Sequence, residues 1–342
     1  MGMEHIFKFM DDIGLYDALF EFINSNDVKT KILSLELLKI ITESDPSGMR
    51  SHIMLKLELL AKLIKIFVED IEPTVKNEIS DLITSLLESQ SPESEESSTP
   101  LINIFYKDYA YELFKPLIEI EDKDISPGDP NTYLIYKLLQ LASSFIFLHG
   151  LKMRQFFINK NILGKSKWII GGRNKELTLE YLSLLRTCIG TKLKDLTDHI
   201  VKEDLFKTVI DLYLVNKSRN NLITSALLEL FQFINDLKSA RLIKYIMSNY
   251  YSLLFDIKET DIFQNLKKQY DQILNQEKIN EIAYFNIIKE NEKYEQAMEE
   301  ERYFEDDFDD DEEEEDERES LKRERNDDAD DSITTPKKKK KF

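Results

Sequence analysis

Two stretches 190 residues apart carry the same apolar pattern, and this internal repeat limits the fold more than any other feature. Without a gap, LYDALFEFINSNDVKTKILSLELLKII (15–41) aligns with LFKTVIDLYLVNKSRNNLITSALLELF (205–231), so that Leu37 matches Leu227. A shift of 47 residues brings a further copy, around Val75, into register. Apolar residues recur every three or four positions, which is the period of amphipathic helices. The chain is therefore predicted to consist of repeated helices.

Each copy has the pattern of a helix, a short polar turn and a second helix, over about 40–47 residues, which is the spacing of HEAT and armadillo repeats. A looser copy covers 162–189. One helix pair cannot cover its own apolar face, so the pairs are expected to stack into a solenoid. Nine Gly and eight Pro in 342 residues are few for a strand-and-turn fold. The predicted fold class is all-α, a HEAT/armadillo-like helical-repeat solenoid with a disordered acidic C-terminal tail.

The helical-repeat domain is predicted to occupy residues 1–298, with two interruptions. The segment 89–100 is rich in Ser, Glu and Pro, which is typical of a solvated loop. The segment 121–131 contains Gly and two prolines, among them Pro130, and is expected to prevent helix. A last helix is predicted from about 277 to 302.

The remaining residues, 299–342, hold 21 Asp/Glu against 10 Lys/Arg and carry most of the chain's net charge of −19. Such a segment cannot bury enough apolar surface to offset chain entropy, so it is predicted to be disordered. It either solvates the protein, contacts basic proteins such as histones, or inhibits the chain itself. The folded part is also acidic, which argues against nucleic-acid binding.

The chain ends in a run of five lysines, which predicts a nuclear localisation signal and hence a nuclear protein. The signal consists of Lys337, Lys338, Lys339, Lys340 and Lys341. Thr335 precedes Pro336 and has the form of a proline-directed phosphosite. A phosphate there would weaken binding of the lysines to an acidic importin groove.

Residue sets that support catalysis or cofactor binding are not found. Cys188 is the only cysteine and lies in an apolar helix, which favours a buried core thiol over a nucleophile. The four histidines lack partners at metal-ligand spacing, so neither a metal nor another cofactor is predicted. No apolar run is long enough for a membrane span. The chain is predicted not to be an enzyme.

The turn NKSRNN (216–221) permits two interpretations. In the first, Ser218 or an Asn caps the following helix, and Lys217 and Arg219 keep the turn soluble. In the second, turns along one edge of the solenoid converge into a surface for a partner, where Arg219 and the Asn side chains bind backbone or carboxylates.

Five segments, taken in order, resemble the protein phosphatase 4 regulatory subunit 3 (SMEK) family. They are SNDVKTKILSLELLKIITESDPSGMR (25–50), FYKDYAYELFKPL (105–117), FFINKNIL (156–163), NKSRNNLITSALLELFQFI (216–234) and FQNLKKQYDQ (263–272). Their order and spacing agree with the family over about residues 5–275. An acidic tail followed by basic residues is also a feature of the family.

This resemblance implies a non-catalytic scaffold that joins a phosphatase catalytic subunit to a second regulatory subunit. It also implies a role in directing dephosphorylation of nuclear substrates, including a phosphorylated histone variant in DNA-damage signalling. Family members carry an N-terminal PH/EVH1-like domain as well. The sequence begins inside the helical region, so it is either a fragment or a chain that lacks the recognition function of that domain.

Polar residues of the matching segments are the predicted partner contacts. They are Asn216, Lys217, Arg219, Asn220, Asn221, Tyr106, Lys107, Asn159 and Lys160. An alternative function, favoured by the acidic tail and the lysine run, is a histone-binding chaperone or nuclear transport adaptor on a generic armadillo stack, with histones or importin as partners.

Overall fold

The structure, a computed structural model, describes residues 3–88, 100–119, 129–254 and 261–323. Within these ranges every regular element is helical. The chain divides into two compact units, Met1–Asp271 and Gln272–Phe342. The first unit contains the repeats, and the described part of the second is the continuation of the last helix.

Eighteen α-helices are described, several of them separated by only one or two residues. They are α1 Met3–Asp12, α2 Leu15–Phe22, α3 Val28–Ser44, α4 Pro46–Leu55, α5 Leu57–Glu69, α6 Pro73–Leu86, α7 Pro100–Ile104, α8 Ala110–Glu119, α9 Pro130–Leu148, α10 Leu151–Lys160, α11 Ile162–Ser166, α12 Trp168–Gly171, α13 Lys175–Gly190, α14 Lys194–Lys202, α15 Leu205–Asn216, α16 Leu222–Leu237, α17 Ala240–Leu254 and α18 Asp261–Arg323. A π-helical turn, Phe105–Tyr109, joins α7 to α8.

Four of the five repeats contain three α-helices and the fourth contains four, which corrects the predicted unit of two helices; repeats of three helices are typical of an armadillo-like stack. The five repeats are α1–α3, α4–α6, α7–α9, α10–α13 and α14–α16. The sequence hides the first helix of each repeat because its junction with the second is a corner of only one or two residues or, in the third repeat, a π-helical turn. Gly14, at φ 75°, forms such a corner, and Asn161 and Asp204 form others in the left-handed conformation.

The last helix of each repeat, called here its third helix, packs against the third helix of the next repeat. The series runs through α3, α6, α9, α13 and α16, and each neighbouring pair is in contact. The helix pairs recognised in the sequence, 15–41 and 205–231, are α2–α3 and α15–α16. The repeat relation between them is therefore confirmed in the fold.

Polar side chains tie consecutive repeats together at a sequence separation equal to the repeat length. Lys31 binds Asp70 at 2.6 Å, 39 residues apart. Asn161 donates to Glu203 at 2.9 Å, 42 residues apart, and Arg186 pairs with Glu229 across 43 residues. Apolar burial fills the space between these ties, and a repeat therefore depends on its neighbours for stability.

Two predicted loop boundaries need correction because proline begins helices here. Pro100 starts α7 and Pro130 starts α9. Proline is favoured at the first helical position, where its missing N–H has no partner to lose. The rest of the predicted loops, 89–99 and 121–128, lies outside the described residues.

The last helix is longer than predicted at both ends, because α18 contains neither Gly nor Pro. Its first turns belong to the repeat unit, where Phe263 packs edge-on against Tyr213 and Phe231, with ring centroids 5.5 and 5.1 Å apart. Between 299 and Arg323, part of the predicted tail, the backbone is helical, and Glu and Arg favour this conformation. Residues 324–342 lie outside the described range.

Candidate functional site

The turns that precede the third helices all lie along one edge of the stack, called here the start edge. Residues at the N-terminal ends of α6, α9 and α13 line one shared depression, which places these helix ends at the same edge. The turn 216–221 lies there, before α16. The corners between first and second helices lie at the opposite edge, called here the end edge, because each second helix runs back from its third.

The turn 216–221 is held by its two terminal asparagines. Asn216 is buried and donates to the carbonyl of Leu212 at 2.9 Å, while its own carbonyl accepts from Thr224 Oγ1 at 3.1 Å. Asn221 accepts the backbone N–H of Thr224 at 2.9 Å, as an N-cap residue does. Capping therefore falls to Asn221, and the alternative of Ser218 was wrong.

The residues between these asparagines point into solvent. Lys217, Arg219 and Asn220 are exposed, and within the described ranges their side chains have no hydrogen bond or ion pair. The fold thus requires Asn216 and Asn221 and leaves the three central side chains available. Of the predicted contacts in this turn, these three have the exposure that a partner contact needs.

Tyr106, another predicted contact, belongs to a chain of two hydrogen bonds at the end edge. Its hydroxyl lies 2.6 Å from His149 Nδ1, and His149 Nε2 lies 2.8 Å from the carbonyl of Leu87. A carbonyl only accepts, so Nε2 carries the proton and Tyr106 donates to Nδ1. Burial lowers the pKa of His149 to about 4 and raises the pKa of Tyr106, which agrees with a neutral imidazole.

The remaining predicted contacts, Lys107, Asn159 and Lys160, are exposed on the end edge. The ammonium group of Lys160 lies over the ring of Tyr111, 4.8 Å from its centroid. The structure thus brings the 105–111 and 151–160 segments together, since α10 packs on the π-helical turn. It places them at the edge opposite the 216–221 turn, so the nine predicted residues do not form one site.

The sequence reasoning overlooked Asn161, next to two predicted contacts. It adopts φ 50°, caps α11 through the N–H of Gly164 at 3.1 Å, and binds Glu203 of the following repeat. A Cβ at Gly164 would lie 2.3 Å from Asn161 Oδ1. An Asn before a helix with Gly three residues later was the available signal.

A depression of about 640 Å³ lies on the start edge between the second, third and fourth repeats. Ile71 and Pro73 lie on one side, and Arg173 and Lys175 on the other. The rings of Tyr133 and Tyr136, both in α9, stack with their centroids 6.2 Å apart and form its wall. Asp129 and Glu176 line it as well, so apolar, basic and acidic side chains meet in this depression.

The arrangement offers little for catalysis. Cys188 is fully buried, as predicted, and burial raises its pKa to about 12, which keeps it a thiol. Among the described residues there is no cluster of three His, Cys, Asp or Glu side chains able to hold a metal ion. In the same ranges no helix is long and apolar enough to cross a membrane. Thr335 and the lysines at 337–341 lie outside the described residues.

A family model described as "Phosphatase 4 regulatory subunit 3" matches residues 2–272. Similar curated proteins include "Suppressor of Mek1" of Dictyostelium discoideum, 27% identical over 288 residues, and "Serine/threonine-protein phosphatase 4 regulatory subunit 3" of Drosophila melanogaster, 29% identical over 282 residues. These matches cover 78% and 79% of this chain but only 27% and 29% of the two relatives. The chain thus spans less than a third of their length.

Among solved structures, a designed armadillo repeat protein is similar with a TM-score of 0.45 and 11% identity, covering 75% of this chain and 98% of that one. An engineered protein is similar with a TM-score of 0.46 and 11% identity, covering 76% of this chain and 96% of that one.

Proposed function

The chain belongs to the phosphatase 4 regulatory subunit 3 family, and we propose that it is a non-catalytic scaffold that binds the catalytic subunit of a protein phosphatase 4-like enzyme. The observation that carries the proposal is the agreement of two boundaries. The family match ends at residue 272, and the compact repeat unit ends at Asp271. The shared part of the family is thus the whole repeat stack, and a stack of this kind presents long continuous surfaces to partners.

A second regulatory subunit is a further proposed partner, and the two separated groups of exposed polar residues support it. Lys217, Arg219 and Asn220 lie on the start edge, while Lys107 and Asn159 lie on the end edge. Two edges allow two proteins to bind side by side without competing.

The proposal is tested by mixing the purified full chain with a recombinant phosphatase 4 catalytic subunit and separating the complex by gel filtration. We expect co-elution at moderate salt, and a Ser/Thr phosphatase catalytic subunit of another class serves as the control. Repeated absence of a complex, with the second regulatory subunit both present and omitted, contradicts the proposal.

The substrates proposed are nuclear phosphoproteins, including those of DNA-damage signalling, and the lysines at 337–341 support nuclear entry. Replacing these five lysines with Gln in the full chain is expected to shift a fluorescent fusion to the cytoplasm, and Thr335→Glu to do so partly. Unchanged nuclear fluorescence in the Gln variant contradicts this part of the proposal.

A further inference from the structure

The charge of the start edge changes sign along the stack. Before the third helices of the first three repeats stand the acidic residues Asp27, Glu72 and Asp129. In the fourth and fifth repeats the same position is occupied by the neutral Asn174 and Asn221. A carboxylate offsets the partial positive charge at the N-terminal end of a helix, whereas a neutral amide does not. The N-terminal end of α16, which has no acidic residue in its first turn, therefore keeps its positive potential, whereas α13 carries Glu176 in its first turn.

Four cations surround these two neutral caps. Arg173 and Lys175 flank Asn174, and Lys217 and Arg219 precede Asn221; all four are exposed. No ion pair involves any of them in the described part of the chain, in contrast to the Lys31–Asp70 tie of the second turn.

The two turns that carry these cations are neighbours. Their helices, α13 and α16, pack against each other, and packed helices lie about 8–10 Å apart. The result is a surface with four cations and the exposed carboxylate of Glu176, called here the basic ridge, in a chain whose net charge is −19. Unpaired cations attract ligands of negative charge.

An apolar floor adjoins the basic ridge. The depression of about 640 Å³ shares Arg173 and Lys175 with it, and its Ile71 side chain is 80% exposed. The stacked rings of Tyr133 and Tyr136 form its wall. The depression is lined by two cations and also by the carboxylates of Asp129 and Glu176, and a space of this size suits one large apolar side chain.

We propose that the basic ridge and the adjoining depression bind an extended, carboxylate-rich segment of a partner protein, with one apolar side chain of that segment in the depression. The cations are distributed over two turns about 10 Å apart and do not converge on one point, so a chain of carboxylates fits them better than a single anion. An extended segment advances about 3.3 Å per residue, so acidic residues three apart reach successive turns. Arginine suits this role because it binds carboxylates with two parallel hydrogen bonds.

This inference does not rest on the phosphatase assignment, since its test uses a peptide and no phosphatase subunit. The probe is a fluorescein-labelled peptide of about twelve residues, Asp and Glu with one central Phe, titrated with the full chain while anisotropy is recorded. We expect saturable binding that weakens as salt rises. The double variants Lys217→Glu/Arg219→Glu and Arg173→Glu/Lys175→Glu should each weaken it about tenfold, and the quadruple variant about a hundredfold.

Matched controls separate the ridge from general charge effects. The variant Lys29→Glu/Lys65→Glu makes the same change of net charge as one double variant, at exposed sites of the first two repeats, and should bind like the wild type. A peptide with Asn and Gln in place of the acids should not bind, and one with Ala for Phe should bind several-fold more weakly. Unchanged affinity in the quadruple variant, with its circular dichroism spectrum intact, overturns the proposal, as does equal binding of the amide peptide.

The chain's own acidic run, 305–319, is the rival occupant. Carbodiimide treatment of the full chain joins lysine amines to carboxylates in contact, and mass spectrometry locates the links. Free Lys175 and Lys217, without links to 305–319, support an external partner. Links from these lysines to that run, abolished by excess probe peptide, overturn the assignment to a partner protein.

Discussion

The third helices of the first and fifth repeats carry the same apolar pattern but bury it differently. In the register of the 190-residue shift, Leu37 of α3 corresponds to Leu227 of α16, and both are leucine. Leu37 is 49% exposed, whereas Leu227 is fully buried. The neighbouring pair Ile40 and Leu230 shows the same contrast, at 58% and 1% exposure.

The difference comes from the neighbour and not from the helix itself. The α16 helix packs against α13 of the preceding repeat, whereas α3 is the first third helix that the structure describes. The next repeat supports this reading, since Ile40 corresponds to Leu87 in the 47-residue register, and Leu87 is fully buried. Repeat position therefore decides whether an identical residue stabilises the fold.

The largest expected effect tests this comparison with one substitution at two equivalent places. Leu227→Ala removes a fully buried side chain and should lower the free energy of unfolding by about 2–5 kcal/mol. Leu37→Ala should change it by less than about 0.5 kcal/mol, because the side chain is already half exposed. Urea unfolding followed by circular dichroism measures both. Equal losses in the two variants contradict the comparison.

Acid should weaken the contact between the second and third repeats, where burial by a neighbour is again decisive. Burial lowers the pKa of His149 to about 4 from an ordinary value of about 6.5. Below pH 6.5 the unfolded chain therefore takes up a proton that the folded chain does not, and stability falls until about pH 4. The expected loss over this range is roughly 3 kcal/mol. Urea unfolding at a series of pH values measures it.

A His149→Gln variant is the control for this pH dependence. Its amide is able to donate to the Leu87 carbonyl but does not titrate, so the difference between the two proteins isolates the imidazole from other acidic groups. If wild type and variant lose stability in parallel between pH 6.5 and 4, His149 is not the cause.

The sequence was sufficient to predict the repeat and the apolar positions, because helical periodicity is a local property. It did not reveal three helices per repeat, since corners such as the one at Asn161 turn without Gly or Pro. Nor did it distinguish Leu37 from Leu227, because burial depends on contacts 40 or more residues away. The predicted contacts fall into two groups for the same reason. Tyr106 and Arg219 lie on opposite edges of the stack, and these edges form only when the repeats pack together.

Helix caps should contribute to stability in the first and fifth repeats alike, in contrast to the apolar side chains. Asn221 caps α16 through Thr224 N, and Asp27 caps α3 through Thr30 N at 3.0 Å. Asn221→Ala should cost about 1 kcal/mol, and Asp27→Ala should also destabilise, because the bond lies within one repeat. Thermal unfolding measures both. A loss confined to Asn221→Ala indicates that caps, too, depend on neighbours.

The smallest expected effect concerns the exposed centre of the same turn. Lys217→Ala and Arg219→Ala remove side chains without described partners, so the free energy of unfolding should change by less than about 0.5 kcal/mol and helix content should not change. Asn221→Ala is the internal standard. Loss of helix on replacing Arg219 would assign the residue to the fold, whereas an unchanged spectrum leaves its charge free for a ligand. Within this turn, therefore, the two terminal asparagines stabilise the repeat, and the residues between them face the solvent.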